Sequence, residues 1–570
     1  MKRLERRSKL ILLFLVLVLI GVFLFIPFNT KREAKGDRIY GGVFTYSLPE
    51  NVTSLFPLET NSLSDLRVIS QIYDPLVKQS DSKGNIQNQL VEKITISPNR
   101  KRVTIKLKKG ILFHDDECFT GESRELKAAD VAFTLTFACS NHDHLNQSAS
   151  LLKGKIMGSD KYYNEELVPN KNNFLSGIHV TGPYSLEINL SKPYNHFIQL
   201  LTHPSLGIMS LVAWEHYGNS LKYHPIGSGP FYLKSSTKNK IELAKNDDYW
   251  QHDSYGNQLP FLDEVHVLTN TKLSEEYPMF SQEKIDLLFD LPVNELEKAF
   301  GSLSDAQQGK NLLHRVHIQK ASKIHYISWN MNKPPFNKPS VRKAFSLAID
   351  RDLICTDILK GDGQALKQGF IPQSSYYSNP TIPVLIKNSQ EAKHLLTESG
   401  YNDQHPFPVI HFYVNAQKGS NADLWCKEFS RQLKEGLNVR LKLIYVSTKK
   451  RDEKIKAGEA LLWKAGWVGD YPDAESYLRL FYQPNRGKSI FVPAQQSQYN
   501  QLYLTSILTT NEQEKRKLQQ ACEAIVIQES GIIPIYSEDF FVMVNLRVRG
   551  FEMNSSGIID FSSIYLKKVV

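Results

Sequence analysis

The chain has 570 residues, of which 41% are hydrophobic, 22% charged and 11% aromatic, with 31 Gly and 26 Pro. That balance excludes a disordered, collagen-like or disulfide-scaffolded protein and predicts roughly two to four domains, hence lobes with a cleft between them. Nine basic and three acidic residues among the first 40 account for most of the net charge of +10, so the rest of the surface is too weakly basic for nucleic acid, which demands a concentrated cationic face.

Leu10–Phe28 is an uncharged run of nineteen residues, and as a helix it spans roughly 28 Å, enough to cross a bilayer. Lys2, Arg3, Arg6, Arg7 and Lys9 precede it, which keeps residues 1–9 in the cytoplasm under the positive-inside tendency. Phe25-Ile26-Pro27-Phe28-Asn29 offers no small-residue cleavage site, and no lipoprotein cysteine follows the run. The expectation is an uncleaved signal anchor in a bacterial cytoplasmic membrane, then a linker at 29–40, with the rest on the extracytoplasmic (periplasmic) face.

Val43–Leu48 reads as a strand between Gly41-Gly42 and Pro49. Period-two alternation follows at Val103, Ile105, Leu107 and at Tyr184, Leu186, Ile188, Leu190. Between these, residues 138–175 are polar and Asn- and Lys-rich, which predicts a surface excursion. Helical spacing at Val341, Ala344, Phe345, Ala348 and Ile349 begins after Pro339-Ser340, with Gly361 as the expected end. A helix is predicted over 389–398, capped by Ser389 and stopped by Gly400, then a strand at Val439, Leu441, Leu443, Tyr445, and a helix over 512–529. Alternating strands and helices make the chain α/β.

No phosphate-loop, zincin or nucleophile-elbow motif occurs, so an enzyme is unsupported. Gly227-Ser228-Gly229-Pro230 lacks the third glycine of a dinucleotide loop and reads as a tight turn. His114–Cys118 carries metal-type donors that point alternately in an extended segment, so no metal is expected there; His142-Asp143-His144 is discounted in the same way. Asp470, Asp473 and Glu475 lack the glycine and bidentate Glu of a calcium loop. The five cysteines are widely spaced, which leaves only a Cys118–Cys139 bridge open.

Lys464–Pro472 sets Asp470 among two glycines and two aromatics. This is either a ligand loop, in which one desolvated carboxylate meets a cationic chain end, or a loop with a solvated aspartate and core aromatics.

From Tyr40 onward the chain resembles the family 5 extracytoplasmic solute-binding proteins, the oligopeptide- and dipeptide-binding components of ABC importers. The resemblance is carried by Gly41–Phe44, Ser54–Pro57, Ile72–Val77, Leu107–Asp115, Lys127–Phe133, Pro225–Phe231, Asn246–Trp250, Asn330–Arg351, Gly466–Tyr471 and Ile533–Tyr536, all in family order. It implies a periplasmic-binding-protein-like fold (type II, cluster C) of two main lobes joined by a hinge plus an extra lobe. Lobe I would comprise 41–76, 223–320 and 537–570, lobe II 77–222 and lobe III 321–536. It further implies a peptide ligand enclosed between lobes I and III, no cofactor, and a permease and ATPase as partners. Asp470 would bind the peptide α-amino group, with Tyr471 beside it. Gly466, Trp467 and Val468 would pair with the ligand backbone on one lobe, and Ser54, Leu55 and Phe56 on the other. Rival readings keep the fold for a nickel complex, an oligosaccharide or an opine, or make the chain an extracytoplasmic hydrolase. Gly469 stands where the family commonly has alanine, no residue is assigned to the ligand carboxylate, and Arg342 and Arg351 are expected to serve structure.

Overall fold

The computed structural model describes residues 33–567 except 49, 61, 81–83, 142–148, 166, 168, 290, 294, 296–314, 375–376, 383–385 and 483–492. No helix among the described residues is long and apolar enough to cross a membrane. The anchor expected at 10–28 and the His142–His144 group lie outside the described residues.

The alternating segments become strands. In chain order the principal elements are β1 (Val43–Ser47), α1 (Leu63–Ile72), β2 (Val91–Ile96), β3 (Arg102–Leu107), α2 (Ala128–Ala138), β4 (Ile178–Gly182), β5 (Ser185–Asn189), β6 (Phe231–Ser236), β7 (Lys240–Lys245), β8 (Glu264–Leu268), β9 (Leu287–Phe289) and β10 (Arg315–Trp329). There follow α3 (Pro339–Leu347), α4 (Ser389–Glu398), β11 (Ile410–Val414), α5 (Asn421–Leu437), β12 (Leu441–Tyr445), β13 (Leu462–Val468), α6 (Pro493–Leu508), α7 (Glu512–Gln528) and β14 (Ile533–Val544).

One eleven-stranded sheet runs β6-β7-β8-β1-β9-β14-β10-β13-β11-β12, with the two-residue strand Gln364–Ala365 added on β14. Its two long strands, β10 and β14, pair antiparallel and join the half built on β1 to the half built on β11–β13. A separate four-stranded antiparallel sheet, β2-β3-β5-β4, buries Val103, Ile105, Leu107, Leu186 and Ile188 on one face. Helix α2 is apolar nearly all round and correspondingly buried. Asp130 in its first turn accepts from the Lys127 and Leu211 amides, which gives the Lys127–Phe133 segment a structural task.

Several expectations are corrected. Helix α3 ends at Leu347 rather than Gly361, because Asp350 caps a new turn through the Leu353 amide. The cap of α4 is Asn388, whose side chain accepts from the Glu391 amide, and Ser389 is already helical. The 138–175 stretch is more than a surface excursion: Leu151, Leu152, Ile156 and Tyr162 are buried in it. Cys118 and Cys139 are free thiols, as are the other three.

The glycines of Gly227-Ser228-Gly229 serve packing. A Cβ at Gly227 would stand 2.0 Å from the Ile72 carbonyl oxygen and one at Gly229 2.5 Å from that of Gln71, so only glycine lets this turn lie against the end of α1. His114 is buried with Nε2 3.0 Å from the Gly229 carbonyl, and burial lowers its pKa to about 4. Arg342 and Arg351 spend their guanidinium groups on the Phe336, Glu529 and Pro534 carbonyls, as expected of structural residues.

Candidate functional site

Strand β13 positions the site. It pairs antiparallel with β10 along its whole length, from Leu462↔Trp329 to Val468↔Lys323, whereas its parallel ladder with β11 stops at Trp463. From Lys464 onward its outer edge therefore has no neighbouring strand among the described residues, and such an edge is a template for an added one. Alternation along the strand puts Lys464, Gly466 and Val468 on a common face.

This face borders a cavity of about 510 Å³. Trp467, Gly469 and Asp470 continue the same wall; the first turns of α1, Thr202–Ser205 and the C-terminal segment around Ser556 close the others. Gly469 is required here, since a Cβ would come within 2.8 Å of the hydroxyl of buried Tyr477, which accounts for the absence of alanine. Trp467 is held by its indole N–H, which donates to the Ser476 carbonyl at 2.8 Å.

The structure thus brings Gly466, Trp467, Val468 and Asp470 together on the cavity wall. Tyr471 is buried behind it, donating its hydroxyl to Glu475 and stacked on His196 with ring centroids 5.2 Å apart. Ser54, Leu55 and Phe56 do not border the cavity. Ser54 bonds Glu59 at 2.9 Å and accepts from the Phe56 amide, folding this segment into its own turn, while Phe56 packs against Phe137. Residues of α1, from Leu63 to Arg67, stand where that segment was expected. Asp470, Asp473 and Glu475 do not converge on an ion. Asp470 pairs with Arg479, Asp473 with Lys515 and His196, and Glu475 with the Tyr471 and Tyr503 hydroxyls.

Sequence reasoning missed the basic groups of this wall. Lys323 and His325 share Glu538, which they hold well below the usual carboxylate range against the opposing effect of burial. Arg451 bonds Asp452 and reaches the Lys464 carbonyl at 3.2 Å. Lys464 differs: 7% exposed, its ammonium has no hydrogen bond or ion pair among the described residues. Burial lowers its pKa, with Glu50 among the groups that partly offset this. The signal lay in the sequence, because Lys464 interrupts an otherwise apolar strand, LLWKAGWV.

The profile of the bacterial extracellular solute-binding proteins, family 5 middle region, matches residues 85–489. The glutathione-binding protein GsiB of Salmonella paratyphi A is 25% identical over 512 residues, covering 88% of this chain and 90% of its own. Among solved structures, the Escherichia coli murein tripeptide binding protein MppA superposes with a TM-score of 0.80 at 20% identity, over 92% of this chain and 99% of its own. Haemophilus influenzae OppA, in complex with RPPGFSPFR, gives 0.79 at 20% identity over the same shares. The fold is that of the periplasmic binding proteins, and the chain belongs to the family 5 solute-binding proteins of ABC importers.

Proposed function

We propose that this chain captures a short peptide between lobes I and III and delivers it to a membrane permease, held at the extracytoplasmic face by residues 10–28. The reading is carried by one observation: a strand edge and a buried ammonium, that of Lys464, both without a partner among the described residues, border the same 510 Å³ cavity. A backbone running along Gly466–Val468 gains main-chain hydrogen bonds whatever its side chains, and a carboxylate within reach of Lys464 gains a charge-assisted bond in a water-poor place. The volume falls in the range of about 300–1,000 Å³ usual for small ligands, which suits a few residues. Relatives named for glutathione and for a murein tripeptide support the same class of cargo.

Thermal unfolding of the full chain in detergent, scanned against di- to pentapeptides, tests this. A bound peptide at a hundredfold excess over its Kd should add about 2.7 kcal/mol of stability. The proposal fails when no peptide shifts the transition.

A further inference from the structure

Two groups on the cavity wall are already paired with each other. Arg479 lies in the turn Arg479–Phe481, directly after the short helix Glu475–Leu478, and its Nη2 donates to Oδ2 of Asp470. The side chains are 7% and 10% exposed. The guanidinium is also 5.3 Å from the centroid of the Trp467 ring, so its position is fixed by an acid and an aromatic face together. On the other side, Oδ1 of Asp470 is 3.5 Å from Nε2 of His203. His203 Nδ1 lies 2.6 Å from the Ser205 hydroxyl and 3.3 Å from the Ser205 amide, which holds the ring with its Nε2 edge toward the carboxylate. One oxygen of Asp470 is thus held by the guanidinium and the other has an imidazole beside it before a ligand arrives.

An ammonium entering here would find the aspartate charge already balanced by the fixed guanidinium beside it, so the attraction that a lone buried carboxylate would exert is cancelled. Glu475 is buried off the cavity wall with its oxygens taken by the Tyr471 and Tyr503 hydroxyls, so it offers no acceptor to a ligand there. Along the same wall Lys464 offers the opposite invitation, a buried cation with no anion bound to it among the described residues.

We propose that Arg479 stands in for a ligand's cationic amino end, so that this cavity selects peptides by their carboxylates and accepts those whose amino end is blocked. The inference rests on the peptide reading above and narrows it to acidic peptides with no requirement for a free α-amine. Lys464 is the anion site and Arg479 the residue that removes the amine requirement. Arg479→Gln keeps a hydrogen-bond donor near Asp470 but returns its charge to the cavity, so the variant regains a preference for a free amine.

The test is calorimetric titration of the full chain in detergent with glutamate-containing tripeptides, each in free-amine, N-acetylated and C-terminally amidated forms. The expected result is that acetylation changes Kd by less than about threefold and amidation weakens it about tenfold or more, while Arg479→Gln prefers the free amine by about tenfold. A preference of about tenfold for the free amine in the unaltered chain overturns the role of Arg479 and leaves the peptide reading standing. Failure of every form to bind a chain that is folded by circular dichroism overturns the peptide reading, and this inference with it. Where Arg479→Gln does not fold, the comparison of free and acetylated peptides on the unaltered chain decides alone.

Discussion

His196, between β5 and β6, faces Asp473, in the loop after β13, with Nε2 3.3 Å from Oδ2, and its ring is stacked on Tyr471. The pair ties the 77–222 segment to the loop that carries Asp470. Burial disfavours the imidazolium, but the adjacent Asp473 carboxylate, with Glu475 behind it, outweighs burial and the opposing Lys515, so the His196 pKa is raised. A raised histidine adds stability that is complete below its unfolded value of about 6.5 and is lost as pH rises through the higher folded value. The stability difference between the unaltered chain and His196→Phe should therefore be largest near about pH 6 and shrink toward about pH 9, as read by thermal unfolding across that range. A difference independent of pH would rule the ion pair out as its source.

Asp470→Asn should destabilise the ligand-free protein. It leaves the buried guanidinium of Arg479 without its anion, a loss of about 3–5 kcal/mol when one partner of a buried pair is removed. A group serving only to hold ligand would leave the melting temperature of the empty protein unchanged, so chemical denaturation without peptide separates the two roles.

Lys464→Met should act in opposite directions on folding and binding. Replacing a buried, unpartnered ammonium by an apolar chain of similar length stabilises the protein, on the order of 1 kcal/mol. The same change should weaken a carboxylate-bearing peptide about tenfold. Measuring the melting temperature and Kd on one preparation checks both signs.

Gly469→Ala should cost about 1–3 kcal/mol, the usual penalty for forcing an atom into packed space. The added Cβ meets the Tyr477 hydroxyl at 2.8 Å, so Tyr477→Phe in the same chain should recover part of the loss. Additive effects in a double-mutant cycle would refute the contact.

The elements most visible in the sequence are those whose period is set by one buried face. Strands β3 and β5 show their inward residues at every second position, and α3 shows Val341, Ala344 and Phe345. Boundaries were less visible because side chains decide them, as Asn388 does for α4 and Asp350 does after α3. In the site, Gly466–Asp470 stood out as glycines and aromatics around a carboxylate. The pairing of Asp470 with Arg479 did not, since nothing in their spacing of nine residues shows that the intervening turn folds back. Ser54–Phe56 stays off the cavity wall for a local reason, the Ser54–Glu59 bond that closes its own turn. Thr202–Ser205 and Ser556 reach the cavity from distant parts of the chain, and no local pattern announces such contacts.

Strands β10 and β14 do not pair evenly: the register slips between Gln319 and Lys323 and again between His325 and Tyr326. Each slip interrupts the regular cross-linking of two ribbons that both sheet halves share, and increases local twist. Lys323 and His325 leave the ribbon within this irregular stretch and reach the cavity directly. The backbone that joins the two sheet halves therefore also carries two basic groups of the cavity, so a change in its local twist would re-aim them.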